Sequence, residues 1–215
     1  MFDELEMQVH TYEQALVLTI ITPNIGCLKC DYCNHIATWA FGYGEIDDYI
    51  SLASYVVISG GEPTGFSQLK ELVEDIRKKR SNIPIILMTN GMYLVDTNLF
   101  DDIIVSYKWP MNQYLQHAES FPTFLPEYLK IAKNKGKIQI LVTPLHKGLS
   151  KIMLDELISI LGDTNFHVIL QTFTLCRNVR DLHKYLNTVD YKEVFGEFIT
   201  TFKNIGVLNE EYTSF

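Results

Sequence analysis

Apolar residues follow two alternating rhythms along the chain. Ala15 to Ile21 (ALVLTII), Tyr55 to Ser59 (YVVIS), Pro84 to Met88, Asp102 to Ser106 (DIIVS), Ile138 to Thr143 and His167 to Gln171 (HVILQ) are short, nearly continuous apolar runs rich in β-branched residues. Such runs suit strands buried on both faces of a parallel sheet. Between them the spacing changes. Leu69, Leu72, Val73 and Ile76 fall at i, i+3, i+4 and i+7, and Leu154, Leu157, Ile158 and Leu161 repeat the pattern. Each set lays one apolar stripe along a helix. Leu125, Tyr128, Leu129 and Ala132 mark another helix, and Phe195, Phe198, Ile199 and Phe202 mark a last one. Gly136 and Gly162 stand where two of these helices should stop. Glu45 to Leu52 reads as a short helix, and the residues before Ala15 read as a polar lead-in.

Strands alternating with helices imply parallel β/α units with right-handed crossovers, arranged as an open sheet or a partial barrel. Functional groups on such folds gather at the C-terminal ends of the strands. The unusual residues of this chain all fall there. A cysteine group follows the first strand, Gly60-Gly61-Glu62-Pro63 the second, and Thr89-Asn90-Gly91 the third. Tyr107-Lys108-Trp109-Pro110 follows the fourth, Pro144-Leu145-His146 the fifth, and a stretch containing Cys176 the sixth.

Composition narrows the class. The 215 residues contain no Pro/Gly/Ser-rich or highly charged linker, so one domain over 1–215 is expected, with a core at about 15–176 and a helical tail at about 177–215. At 47% hydrophobic and 20% charged residues, the chain has enough apolar material for a core. Its formal net charge of −8 argues against nucleic acid as a partner. The one basic run, Arg77 to Arg80, reads as the solvated end of a helix. The start MFDELEMQVH lacks the pattern of a signal peptide, and no apolar run approaches the roughly 20 residues that span a bilayer. The expectation is a cytoplasmic protein without membrane contact.

Cys27, Cys30 and Cys33 occupy one short loop, NIGCLKCDYCNH, directly after the first strand. Crowded thiolates repel one another and oxidise readily, so a metal is expected to hold them. Three sulfurs leave one position open, on a single zinc or on one corner of an iron–sulfur cluster. Cys176 has no cysteine neighbour, and His146, His167 and His183 lack a ligand spacing. Gly42-Tyr43-Gly44 and GGEPTG match neither a dinucleotide fingerprint nor a phosphate loop.

The cysteine loop together with Gly60-Gly61-Glu62-Pro63 resembles the radical S-adenosylmethionine enzymes. The resemblance implies a partial (β/α)6 TIM-like barrel in which Cys27, Cys30 and Cys33 hold a [4Fe–4S] cluster. S-adenosylmethionine would fill the open corner, with Tyr32, Gly60, Gly61, Glu62, Pro63, Thr89, Asn90, Ser106 and Lys108 around it. In this reading Tyr32 meets the adenine and Lys108 offsets the ligand carboxylate. The chain departs from the family pattern in three places. Its C-x2-C-x2-C spacing is one residue shorter than the common C-x3-C-x2-C. Measured against the family's activating proteins of glycyl-radical enzymes, Cys33-Asn34-His35 inverts a common Cys-His-Asn, and Ser106 stands where an aspartate is usual before the fourth-strand lysine.

CDYCNH, VVISGGEPTG, MTNG, SYKWP and LQTF together are most similar to the activating proteins of glycyl-radical enzymes, that of anaerobic ribonucleotide reductase in particular. The similarity spans roughly residues 15 to 181. It implies reductive cleavage of S-adenosylmethionine to a 5′-deoxyadenosyl radical that takes hydrogen from a glycine of a partner enzyme. Electrons would come from a flavodoxin- or ferredoxin-type donor. A small-molecule enzyme resembling 7-carboxy-7-deazaguanine synthase is the alternative within the same chemistry, and a zinc-stabilised binding module is the alternative outside it.

Overall fold

The structure, a computed structural model, describes residues 2, 5–12, 15–23, 41–107, 128, 137–142, 147–162, 166–171 and 191–208. They form a mixed α/β fold of two compact units, one holding the described residues up to Val105 and the other those from Ser106 onward. No helix among them is long and apolar enough to cross a membrane.

The first unit contains β1 (Glu6–Tyr12), β2 (Ala15–Thr22), β3 (Phe41–Gly42), α1 (Ile46–Ile50), β4 (Tyr55–Gly60), α2 (Leu69–Lys79), β5 (Ile85–Thr89) and, as far as Val105, β6 (Asp102–Tyr107). Its strand order is β3-β1-β2-β4-β5-β6. From β2 to β6 the pairing is parallel, as the apolar runs predict. The edge is different: β1 pairs antiparallel with both β2 and β3. The expected polar lead-in is thus a strand. Its signal was faint because exposed Glu6 alternates with fully buried Met7, leaving only one apolar face. β4, β5 and β6 also alternate between buried and half-buried positions, rather than being uniformly buried on both faces.

Helix α2 buries Leu69, Leu72, Val73 and Ile76 and leaves the rest exposed or half-buried, matching the stripe read from spacing. Burying each such side chain is worth about 1.5–3 kcal/mol. The basic run at its end is not simply solvated. Arg80 donates to the carbonyls of Ile50 (2.9 Å) and Ala53 (2.6 Å), satisfying acceptors left open at the end of α1. Lys79 pairs with Asp47 at 2.9 Å. Arg77 meets Asp101 and the Ile83 carbonyl, while Asp101 also accepts from Ile85 N at 2.7 Å.

The second unit contains α3 (Lys147–Leu161), α4 (Tyr191–Thr201) and the parallel strands β7 (Ile138–Val142), β8 (His167–Gln171) and β9 (Asn204–Leu208), in the order β7-β8-β9. Gly162 stops α3 at φ +65°, its N–H reaching Ile158 O at 2.9 Å. Phe198 and Phe202 are buried and stacked, with ring centroids 6.3 Å apart. Ile199, expected in the same stripe, is 49% exposed, so the buried face of α4 is narrower than the spacing implied. The tail is not wholly helical, because β9 extends the sheet beyond α4. Of the helix expected around Leu125 to Ala132, only Tyr128 lies within the described residues, where it is helical and fully buried.

Candidate functional site at the ends of β4 and β5

β2 and β4 end together, with Thr22 opposite Gly60 as the last rung of the parallel pair. Gly60 has φ +121°, a backbone conformation that side chains other than glycine's rarely adopt. A Cβ there would lie 2.4 Å from Thr22 N and 2.5 Å from Thr22 O. Glycine is therefore required twice over, by dihedral and by contact. Two further bonds close the junction: Gly61 N donates to Thr22 O at 3.2 Å, and Thr22 Oγ1 donates to Ser59 O at 3.0 Å.

Glu62 follows, and only 1% of it is exposed. It caps the 3-10 turn Pro63–Gly65, with buried Pro63 supplying the fixed φ of a first helical position. Its Oε1 accepts from Thr64 N (3.1 Å), Thr64 Oγ1 (2.5 Å) and Thr89 Oγ1 (2.5 Å). Its Oε2 accepts from Asn90 N at 2.7 Å. One carboxylate thereby holds the loop after β4 to the loop after β5. The second loop is braced as well, since Thr89 Oγ1 accepts from Gly91 N (3.0 Å) and Asn90 Oδ1 accepts from Met92 N (2.8 Å). Gly91, at φ +79°, supplies the turn that these bonds require.

Gly60, Gly61, Glu62, Pro63, Thr89 and Asn90 thus form one assembly in the first unit. The Thr89 hydroxyl and the Asn90 side-chain oxygen are engaged inside it, on Glu62 and on Met92 N. Ser106 is half-buried in β6. Cys27, Cys30, Cys33, Tyr32, His35, Lys108 and Cys176 lie outside the described residues. Among the described residues, no three His, Cys, Asp or Glu side chains are placed to hold a metal ion.

Thr22 and Thr64 join this assembly without having been picked out from sequence. Each carried a weak signal: Thr22 is the last strand residue before Pro23, and Thr64 follows the proline of a turn. The donors to Glu62 are hydroxyl and backbone N–H groups. A carboxylate oxygen accepts more than one hydrogen bond, so Oε2 retains capacity for a further donor. An ammonium group of an amino-acid-like ligand fits that donor chemistry.

Another feature of the first unit lies apart from this junction. A groove of about 430 Å³ runs over Val73, Glu74, Arg77, Lys78, Asn98 and Leu99, none of which belongs to the Glu62 assembly. In the second unit, the Tyr107 hydroxyl is buried and has no hydrogen-bond partner among the described residues. Burial first, and then the Glu156 carboxylate, push its pKa well above the usual phenol range. Burial raises the Glu156 carboxyl in turn.

The fold has known counterparts. The chain aligns with SuiB of Streptococcus suis bound to S-adenosylmethionine at TM-score 0.56 and 16% identity, over 89% of this chain and 49% of SuiB. Unbound SuiB gives TM-score 0.56 at 15% identity, over 89% and 48%. QueE from Escherichia coli gives TM-score 0.53 at 16% identity, over 96% of this chain and 92% of QueE. The chain spans about half the length of SuiB and nearly all of QueE. At these identities the likeness is one of fold alone, a mixed α/β fold whose sheet is not closed. No protein-family model and no curated protein sequence matches the chain.

Proposed function

We propose that the chain is a radical S-adenosylmethionine enzyme. Carrying the reading is the buried Glu62 carboxylate, which binds the Gly60-Gly61-Glu62-Pro63 turn to the Thr89-Asn90-Gly91 turn at adjacent strand ends. The fold it shares with SuiB, crystallised with S-adenosylmethionine, supports the same reading. Cys27, Cys30 and Cys33 would hold a [4Fe–4S] cluster, and their thiolate chemistry suits it. The chemistry such a group supplies when bound is one-electron cleavage of S-adenosylmethionine to methionine and a 5′-deoxyadenosyl radical. Gly60 packs its missing Cβ against Thr22 and so fixes the turn, Gly61 would let backbone approach the ligand closely, and Glu62 Oε2 would offer an acceptor to its ammonium group. Tyr32 and Lys108 would serve the adenine and the carboxylate, and Ser106 lies in the strand leading to Lys108.

Our reading of the substrate is a backbone glycine of an anaerobic ribonucleotide reductase, with a flavodoxin- or ferredoxin-type electron donor and a cytoplasmic setting. The motif likeness at CDYCNH, MTNG and SYKWP supports it. A small-molecule substrate, as in a 7-carboxy-7-deazaguanine synthase-like enzyme, is supported by the alignment over 92% of QueE. Isotope transfer separates the two. With a partner reductase deuterated at its glycine Cα, deuterium should appear in 5′-deoxyadenosine. Retention of all deuterium in the partner, while a deazapurine precursor is consumed, would establish the small-molecule reading instead.

A further inference from the structure

We propose that Thr22 is a positioning residue that fixes where the cysteine loop leaves the sheet relative to the Gly60-Gly61 turn. The inference rests on the radical S-adenosylmethionine reading above. Thr22 is the last residue of β2, and Pro23 after it has no N–H with which to continue the ladder. A residue before proline is also held to extended backbone. The sheet therefore releases the chain at Thr22, five residues before Cys27. Terminal rungs of a sheet normally fray. Here the rung is fastened by the hydroxyl on Ser59 O, by the carbonyl on Gly61 N, and by Gly60, whose missing Cβ admits the Thr22 backbone. Thr22 is 2% exposed and is the buried polar end of a mostly apolar strand. Its hydroxyl on Ser59 and its carbonyl on Gly61 thus join the start of the cysteine loop to the turn that would meet the ligand.

Thr22→Val keeps the β-branched shape and removes only the hydroxyl. Thr22→Ser restores the hydroxyl on a smaller side chain. In the cofactor-free full chain, Thr22→Val should speed amide hydrogen exchange at Gly61 about fivefold, with the thermal midpoint close to wild type. After anaerobic reconstitution it should bind as much iron as wild type. Its affinity for S-adenosylmethionine, read from the change the ligand causes in the EPR spectrum of the reduced cluster, should fall about fivefold. Thr22→Ser should recover both values. Unchanged exchange and affinity in Thr22→Val would overturn the proposal. So would an affinity loss that Thr22→Ser does not reverse, or one that follows the thermal midpoint across the two variants. A wild-type chain that takes up no cluster overturns the parent reading, whereas a Thr22→Val chain indistinguishable from a ligand-binding wild type overturns only the role of Thr22.

Discussion

Thr89 donates its hydroxyl to the Glu62 carboxylate at 2.5 Å, across the ends of two neighbouring parallel strands. The same carboxylate takes both the N–H and the hydroxyl of Thr64 and the N–H of Asn90, so two loops share one acceptor group. Glu62→Ala strips four donated hydrogen bonds from a buried place. Leaving such donors unpaired should cost about 2–4 kcal/mol of stability, measurable by chemical denaturation. Loss of less than about 0.5 kcal/mol would mean that the two loops are not held through Glu62.

Gly60→Ala tests the junction between β2 and β4. The dihedral alone should cost about 1–3 kcal/mol. Overlap with backbone atoms of Thr22 adds to that, because neither N nor O of Thr22 is the free end of a flexible side chain. Denaturation should show a loss larger than that of Gly44→Ala, whose Cβ would meet nothing within 4 Å.

Alkaline pH should weaken the first unit through Tyr43. Its phenol donates to Asp75 Oδ2 at 2.8 Å. Burial first, then that bond, then the charges of Asp75 and Asp47, raise its pKa far above the usual 10.0. Above about pH 10 the unfolded chain loses this proton while the native chain keeps it. The native state then binds more protons, so stability is constant up to that pH and falls beyond it. Tyr43→Phe should reduce the steepness of the fall, and at neutral pH should cost about 0.5–1.5 kcal/mol for the lost bond. Denaturation at pH 8 and again above pH 10 measures both.

Arg80 closes the C-terminal end of α1 through the Ile50 and Ala53 carbonyls. Arg80→Ala should destabilise by about 1–2 kcal/mol, since the Ile50 and Ala53 carbonyls lose their donor. Arg80→Lys should recover only part of this, because a point-like ammonium does not reproduce the planar fork of donors. Equal stability of all three proteins would show that water serves those carbonyls as well.

Legibility in the sequence followed the strength of local signals. β2, β4, β5 and β6 were readable because parallel strands concentrate apolar residues, and α2 because its stripe repeats at helical spacing. β1 was missed since one buried Met7 among polar neighbours hardly departs from a loop. β9 was missed because Asn204 and Gly206 interrupt its apolar pattern, and its place is set by pairing with β8. At the site, Gly60 to Pro63 formed a recognisable word, and Thr89-Asn90 lay where a strand should end. Thr22 and Thr64 had no such word. A single threonine acquires its role only when folding brings Ser59 O or Glu62 to its hydroxyl.

The central claim is that Cys27, Cys30 and Cys33 hold a cluster at which S-adenosylmethionine is cleaved. The most direct measurement is the yield of 5′-deoxyadenosine and methionine from the anaerobically reconstituted, reduced protein. We predict equal amounts of both products from protein carrying about four iron and four sulfide per chain, and only background from Cys27→Ser, Cys30→Ser or Cys33→Ser. A folded, colourless protein that holds a single zinc and leaves S-adenosylmethionine intact would contradict the account.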